Sequence, residues 1–166
     1  LGFKNNSSYE RLWEARKIWG GIVNTSRSLT VMVRDFTTNE YAKTHLSEEE
    51  LSNKQKVIVH RHVAWLRALA LQLRKIQPWE HNEKKDQRFR AHLGLKDDNE
   101  FTEIKPYLSD REYQYLLQKG NKASHLISLQ SQNLKELKAD GLIDDFRHME
   151  LQGLITELYT LQGKSE

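Results

Sequence analysis

The chain has 166 residues, with 26 Lys and Arg against 23 Asp and Glu and a formal net charge of +3. It contains no Cys, which excludes a disulfide framework, a thiolate metal site and a cysteine nucleophile. Basic and acidic residues are interspersed, and no apolar run is long enough to cross a bilayer as a helix. The composition therefore predicts neither nucleic acid as a partner nor a membrane span within these residues.

Apolar residues recur at steps of three and four along the chain, and no alternating strand pattern is present. This periodicity predicts an all-α fold. The predicted helices cover residues 7–36, 48–76, 110–119, 123–139 and 145–162. Because two of them are very long, we expect either an elongated bundle of amphipathic helices or rods that pack against copies of themselves, formed as one region over 1–166.

The first predicted helix carries an apolar stripe and a pair of glycines. The stripe consists of Tyr9, Leu12, Trp13, Trp19, Ile22, Val23, Leu29, Met32, Val33 and Phe36. Each Gly in a helix interior costs about 1 kcal/mol relative to Ala, so Gly20-Gly21 predicts a bend or a close neighbouring helix. The many Trp and Arg residues around the stripe are typical of a protein interface.

Three later helices have recognisable start signals. Ser47 with Glu50, and Ser109 with Glu112, have the spacing of capping boxes at the starts of the second and third helices. The Asp144-Asp145 pair precedes the last helix, where a carboxylate accepts hydrogen bonds from free backbone N–H groups and opposes the helix dipole. We interpret this pair as a helix cap in preference to a catalytic carboxylate pair.

No constellation of residues predicts catalysis or metal binding. His60 and His62 are two residues apart on a predicted helix, where their side chains point about 200° apart and cannot share a metal ion. The chain has no nucleophile elbow, no phosphate-binding loop and no zinc-protease motif. We therefore expect neither an enzyme nor a cofactor or metal. The residues alone predict a helical interaction module.

The segment from Tyr9 to Arg27 resembles the signature of the bestrophin family, and its bacterial branch in particular. That signature reads roughly Tyr-x-Arg-Trp-Trp-Glu-x-Arg-x-x-Trp-Gly, followed by Val-Asn-x-Ser-Arg. Leu12 stands where the first Trp of the pair is usual. Residues 61–74 and 140–166 resemble two further segments of the family. The signature positions in this chain are Tyr9, Arg11, Trp13, Glu14, Arg16, Trp19, Gly20, Asn24 and Arg27.

This resemblance implies a pentameric anion channel whose pore runs through the membrane and a cytosolic vestibule. The chain would then be the cytosolic region of a larger, multi-pass cell-membrane protein, anchored through membrane segments outside these residues. Its partners would be further copies of itself in a homo-pentamer, together with chloride or other small ions, and the ion preference stays open. Arg11, Arg16 and Arg27 would either concentrate anions near the pore or form ion pairs within or between subunits.

The resemblance also implies two narrow places in the pore. Phe3 would lie at the inner end of the hydrophobic neck, where a ring of Phe closes the pore by dewetting and steric closure. A second, cytosolic aperture would be formed by Ile143, Phe146 or Met149, and the register among these three stays open.

A soluble helical module is the alternative to the channel. It would bind a partner helix or peptide along the Trp-rich stripe and would have no transport activity.

Overall fold

The computed structural model describes residues 2–74 and 100–166, and for residues 2–5 the helical backbone alone. All regular structure in these ranges is helical, which confirms the all-α fold class. The α-helices are α1 (Gly2–Phe36), α2 (Glu48–Arg74), α3 (Asp110–Leu117), α4 (Lys122–Ala139) and α5 (Asp145–Ser165), and a 3-10 helix covers Glu100–Tyr107. The 3-10 helix has no counterpart among the predicted helices.

The start of the first helix differs from the predicted bound. α1 begins at Gly2 rather than at residue 7, because the polar residues that precede Tyr9 continue the helix. Residues 75 and 76, predicted as the end of α2, lie outside the described residues. Within residues 2–74 and 100–166, no helix has both the length and the hydropathy of a membrane span.

Two helix pairs build the bundle. α1 packs against α5, while α2 packs against α4 and the 3-10 helix, and α4 joins the two pairs by packing on α5. α1 and α5 are antiparallel, since Gly21 lies against Leu161 and Thr38, just after α1, contacts Arg147. A Cβ atom on Gly21 would lie 3.0 Å from Leu161 Cδ2, so the expectation of a close neighbouring helix is confirmed at Gly21. Gly20 has open space around it.

The core is centred on Trp65 of α2, which is fully buried. Its indole Nε1–H donates to Oε1 of the buried Gln162 at 2.9 Å. The amide of Gln162 donates in turn to Ser124 Oγ at 2.9 Å, so α2, α4 and α5 are tied together by a polar chain inside an apolar core. A buried indole N–H without such a partner would cost free energy, and here it is satisfied.

The predicted caps are confirmed. Ser47 and Glu50 exchange both capping-box hydrogen bonds, and so do Ser109 and Glu112. Asp144 is the N-cap of α5 and accepts from the backbone N–H of the third helical residue at 2.8 Å. These caps fix where α2, α3 and α5 begin.

The predicted stripe on α1 is only partly correct. The buried positions of α1 are Ile18, Ile22, Thr25, Leu29 and Val33, at helical steps of three and four. Tyr9, Leu12 and Trp13, which the pattern placed on the same stripe, are 68%, 57% and 52% exposed. Every residue from 6 to 17 is exposed. Trp13 lies nine residues, or about two and a half helical turns, before Ile22 and is therefore on the opposite side of α1 from the buried positions.

Candidate functional site

The first candidate surface is the outer face of α5, which points away from the core. It comprises Phe146, Met149, Glu150, Gly153, Glu157 and Thr160, all exposed and spaced at three and four residues. The opposite face buries Leu151, Ile155 and Leu158. Phe146 and Met149, at the start of the helix, are 82% and 71% exposed, which is unusual for large apolar side chains beside a complete core.

The three predicted aperture residues are therefore in different environments. Ile143 precedes α5 and is buried in the core, at 2% exposure. Phe146 and Met149 both lie on the outer face of α5. Of the three side chains, those of Phe146 and Met149 are exposed and that of Ile143 is not.

The start of α5 is held by the loop between α1 and α2. The backbone N–H groups of Thr38 and Lys43 donate to the carbonyls of Leu142 and Asp140 at 2.9 and 3.0 Å. Gly141 lies between them with a positive φ of 74°, directly under the Tyr41 carbonyl. The loop and the turn before α5 therefore form one rigid junction beside Phe146.

The second candidate surface is the exposed part of α1, which holds the signature residues. Tyr9, Leu12, Trp13, Trp19 and Val23 are exposed apolar side chains on it, and Asn24 and Gly20 are exposed as well. Lys17 pairs with Glu14 at 3.8 Å and lies over the Trp13 ring at 5.9 Å. Among residues 2–74 and 100–166, Arg11, Arg16 and Arg27 form no ion pair.

Phe3 lies in the first turn of α1, and its side chain is outside the described part of the chain. Because α1 and α5 are antiparallel, this end of α1 is far from the outer-face residues Phe146 and Met149. The 28 residues from Tyr9 to Phe36 alone extend about 40 Å along the helix.

Comparison with known proteins gives the family. The sequence model described as "Bacterial/Fungal Bestrophin protein" matches residues 1–166. The chain belongs to this bestrophin family. Its fold is similar to a bacterial bestrophin homolog from Klebsiella pneumoniae, with a TM-score of 0.73 at 21% identity over 99% of this chain and 50% of that one.

Two curated proteins match shorter segments of this bestrophin-family chain. A voltage-dependent anion channel-forming protein of Ralstonia nicotianae is 63% identical over 30 residues, which is 18% of this chain and 10% of that protein. A protein of the same description from Escherichia coli is 36% identical over 72 residues, 37% of this chain and 24% of its own length. The chain thus matches only a minor part of these relatives' length.

His60 and His62 of the bestrophin chain do not meet. His60 is exposed and its ring lies 6.2 Å from that of Tyr107, whereas His62 is buried and stacks on Trp65 at 5.4 Å. The Ser26 hydroxyl donates to the Ile22 carbonyl at 2.6 Å, so Ser26 Oγ accepts from His62 Nε2–H at 2.8 Å. In the described ranges no three potential metal ligands come together.

Burial lowers the pKa of His62 from 6.5 to about 4, because an imidazolium would lose its hydration in the core. Between pH 6.5 and pH 4, His62 binds a proton in the unfolded chain but not in the folded one, so the free energy of unfolding falls as the pH falls. We expect a loss of about 3 kcal/mol on going from pH 6.5 to pH 4. Urea unfolding of the wild type and of His62→Gln across this range measures the effect, since other groups cancel in the difference. Equal pH slopes for the two proteins would contradict it.

Sequence reasoning missed a buried charge network around Arg61 on α2. The guanidinium Nε donates to Glu112 Oε1 at 3.0 Å, and Nη1 donates to Gln130 Oε1 at 2.9 Å and to Asn133 Oδ1 at 3.3 Å. The Gln130 amide donates to the Ile58 carbonyl at 2.8 Å. Arg61 lies three residues after Ile58 and four before Trp65, so its helical phase was a usable signal of burial.

Glu112 has two roles in this network. Besides binding Arg61, it closes the capping box of α3 with Ser109. Burial would raise the pKa of Glu112, but the hydrogen bonds and charge of Arg61, with the bonds from Ser109, outweigh it and lower that pKa. Arg61 and Glu112 are among the residues that line a polar groove of about 480 Å³ between α3 and α4.

Proposed function

We propose that this bestrophin-family chain forms the cytosolic part of the pore wall of an anion channel, in which five copies surround the pore. The names of the Ralstonia and Escherichia relatives support the channel, and the family supports the fold. The observation that carries the proposal is the exposed apolar surface at two distant places on a chain whose core is already complete. A pore wall also needs no catalytic group, in keeping with a non-enzymatic role.

The exposed part of α1 fits a contact between copies. Tyr9, Leu12 and Trp13 leave a large apolar area in water, and Trp and Arg are enriched where proteins bind each other. A closed ring requires each copy to use two different surfaces, one for each neighbour. We assign this part of α1 to one of them, with Arg11, Arg16 and Arg27 available for pairing across it.

The outer face of α5 fits the ion path. Phe146 and Met149 would form an apolar ring that narrows the pore at its cytosolic end, and buried Ile143 would support the ring from behind. An apolar constriction controls ions by dewetting rather than by charge. Phe3, at the other end of α1, would form the neck.

Anion flux through liposomes containing the full-length protein tests this function. We expect chloride to discharge a gradient while a large anion such as gluconate does not. Protein-free liposomes are the control. Absence of any flux, from protein shown to be inserted, would contradict the channel and favour the soluble interaction module.

Phe3→Ala should increase the resting leak of chloride in the same liposomes, because a smaller side chain lets water wet the neck. Ser7→Ala, one turn further along α1, is the matched control and should leave the leak unchanged. Equal leak in Phe3→Ala and the parent protein would remove Phe3 from the neck.

The charges on the outer face of α5 also predict a change in ion preference. Glu150 and Glu157 lie on the same face as Phe146 and form no ion pair among the described residues. Carboxylates along the path oppose anions, so Glu150→Gln with Glu157→Gln should raise the permeability of chloride relative to sodium several-fold. The reversal potential in a salt gradient measures this ratio. Glu48→Gln, an exposed carboxylate on α2, is the control, and an unshifted reversal potential in the double variant would place Glu150 and Glu157 outside the path.

A further inference from the structure

We propose that Arg147 is a positioning residue for the cytosolic aperture, holding the Phe146 ring at a fixed radius by tying the start of α5 to the loop between α1 and α2. The proposal rests on the channel function above, and it adds a residue that touches no ion. Arg147 follows Phe146 in the first turn of α5 and turns inward where Phe146 turns outward.

The Arg147 guanidinium joins three groups from both sides of the junction. Nη1 donates to Thr38 Oγ1 at 3.2 Å, and Nη2 donates to Glu40 Oε2 at 3.0 Å. Nε lies 3.5 Å from Oδ2 of Asp144, the N-cap of α5. The planar guanidinium bears all its donors in one rigid fork, so engaging these groups fixes its direction as well as its position.

The backbone of the same junction makes the tie rigid. The Thr38–Leu142 and Lys43–Asp140 hydrogen bonds hold the loop against the turn before α5. Gly141 lets the two backbones approach so closely that no side chain fits between them. Arg147 adds side-chain hydrogen bonds between the first turn of α5 and the same loop.

Phe146 needs such support because its own side chain is 82% exposed and has little packing within residues 6–74 and 100–166. Its direction is therefore set by the orientation of the first turn of α5. Without the guanidinium, that turn loses its side-chain contacts with the loop and keeps its N-cap, its backbone contacts and the ion pair of Asp145 with Lys138. In a ring of copies, a small rotation of each turn would change the opening between the Phe146 side chains.

The junction also connects the aperture to α1, since Thr38 and Glu40 follow directly after the end of that helix at Phe36. A displacement of α1 along its axis would reach Arg147 through two hydrogen bonds. The structure thus offers a direct mechanical link between the exposed part of α1 and the aperture.

Single-channel conductance of the reconstituted full-length protein tests the proposal. We expect Arg147→Gln to change the conductance at least twofold, and Arg147→Lys, which keeps the charge and part of the donor set, to restore part of the change. Glu40→Gln should change it in the same direction. Arg67→Gln, on α2, removes an ion pair with Glu103 of the 3-10 helix and, as the matched control, should have no effect.

A double-mutant cycle separates positioning from general destabilisation. If Arg147 acts through Phe146, then Arg147→Gln should have no further effect on conductance in a Phe146→Ala background. An unchanged conductance in Arg147→Gln, or an equal change in both backgrounds, would overturn the proposal. If Arg147→Gln fails to fold, Glu40→Gln replaces it in the double-mutant cycle with Phe146→Ala, and the same two outcomes apply. Absence of currents from the parent protein would instead overturn the channel function itself.

Discussion

Gly141→Ala should lower the free energy of unfolding by about 3 kcal/mol or more. Gly141 has a φ of 74°, and a left-handed conformation costs a residue with a Cβ about 1–2 kcal/mol. The added Cβ would also lie 2.1 Å from the Tyr41 carbonyl oxygen, so the loop must move away. That movement weakens the hydrogen bonds from Thr38 and Lys43, each worth about 1 kcal/mol. Urea unfolding of the chain measures the loss.

Gly20→Ala is the matched control for this substitution. Gly20 lies in the interior of α1, and nothing is within 4 Å of the position that a Cβ would take. Because Ala is the better helix former, we expect a gain of about 0.5–1 kcal/mol. If Gly141→Ala and Gly20→Ala had similar effects, the close junction between the loop and α5 would be wrong.

Arg61→Ala should have the second large effect, a loss of about 3–5 kcal/mol. The substitution leaves the Glu112 carboxylate without its partner and also removes the donor to Gln130 and Asn133. Removing one member of a buried pair is costly because the remaining charge stays desolvated. Thermal or urea unfolding of the chain measures this loss.

Arg67→Ala provides the comparison on the same helix. Its ion pair with Glu103 joins side chains that are 46% and 57% exposed, and such surface pairs contribute about 0–1 kcal/mol. A loss for Arg61→Ala as small as that for Arg67→Ala would show that the Arg61 network is not a stabilising element.

The helical fold was accessible from the sequence because its signals are local. Ser47 and Ser109 each predict a cap through the Glu three positions later, and Asp144 predicts one as an acidic residue at a helix start. The structure makes the capping hydrogen bond at all three. The 3-10 helix was not predicted, because its segment is short and contains Pro106. Its position depends on packing against α2, which no local pattern reports.

The exposed part of α1 shows where periodicity misleads. Leu12 and Trp13 were assigned to one apolar stripe with Ile22 and Leu29, but the latter two are buried and the former two are exposed. An apolar pattern in the sequence does not show whether a side chain packs within its own chain or against another molecule. Burial in the single chain makes that distinction.

The candidate aperture could be located but not resolved from sequence. Ile143, Phe146 and Met149 lie at helical spacing, so all three fit one face until the start of α5 is known. The cap at Asp144 places Ile143 before the helix, where it turns into the core. The contacts of Arg147 with Thr38 and Glu40 span more than 100 residues of sequence, which is why no motif reveals them.

The central claim is that the outer face of α5 lines the ion path, and cysteine modification at Phe146 tests it most directly. The chain has no Cys of its own, so Phe146→Cys introduces a single thiol per copy in this region. We expect a charged methanethiosulfonate reagent to change chloride flux at least several-fold in Phe146→Cys and to leave Tyr115→Cys, an exposed site on α3, unaffected. Flux that is unchanged in Phe146→Cys, with modification verified by mass spectrometry, would contradict the account.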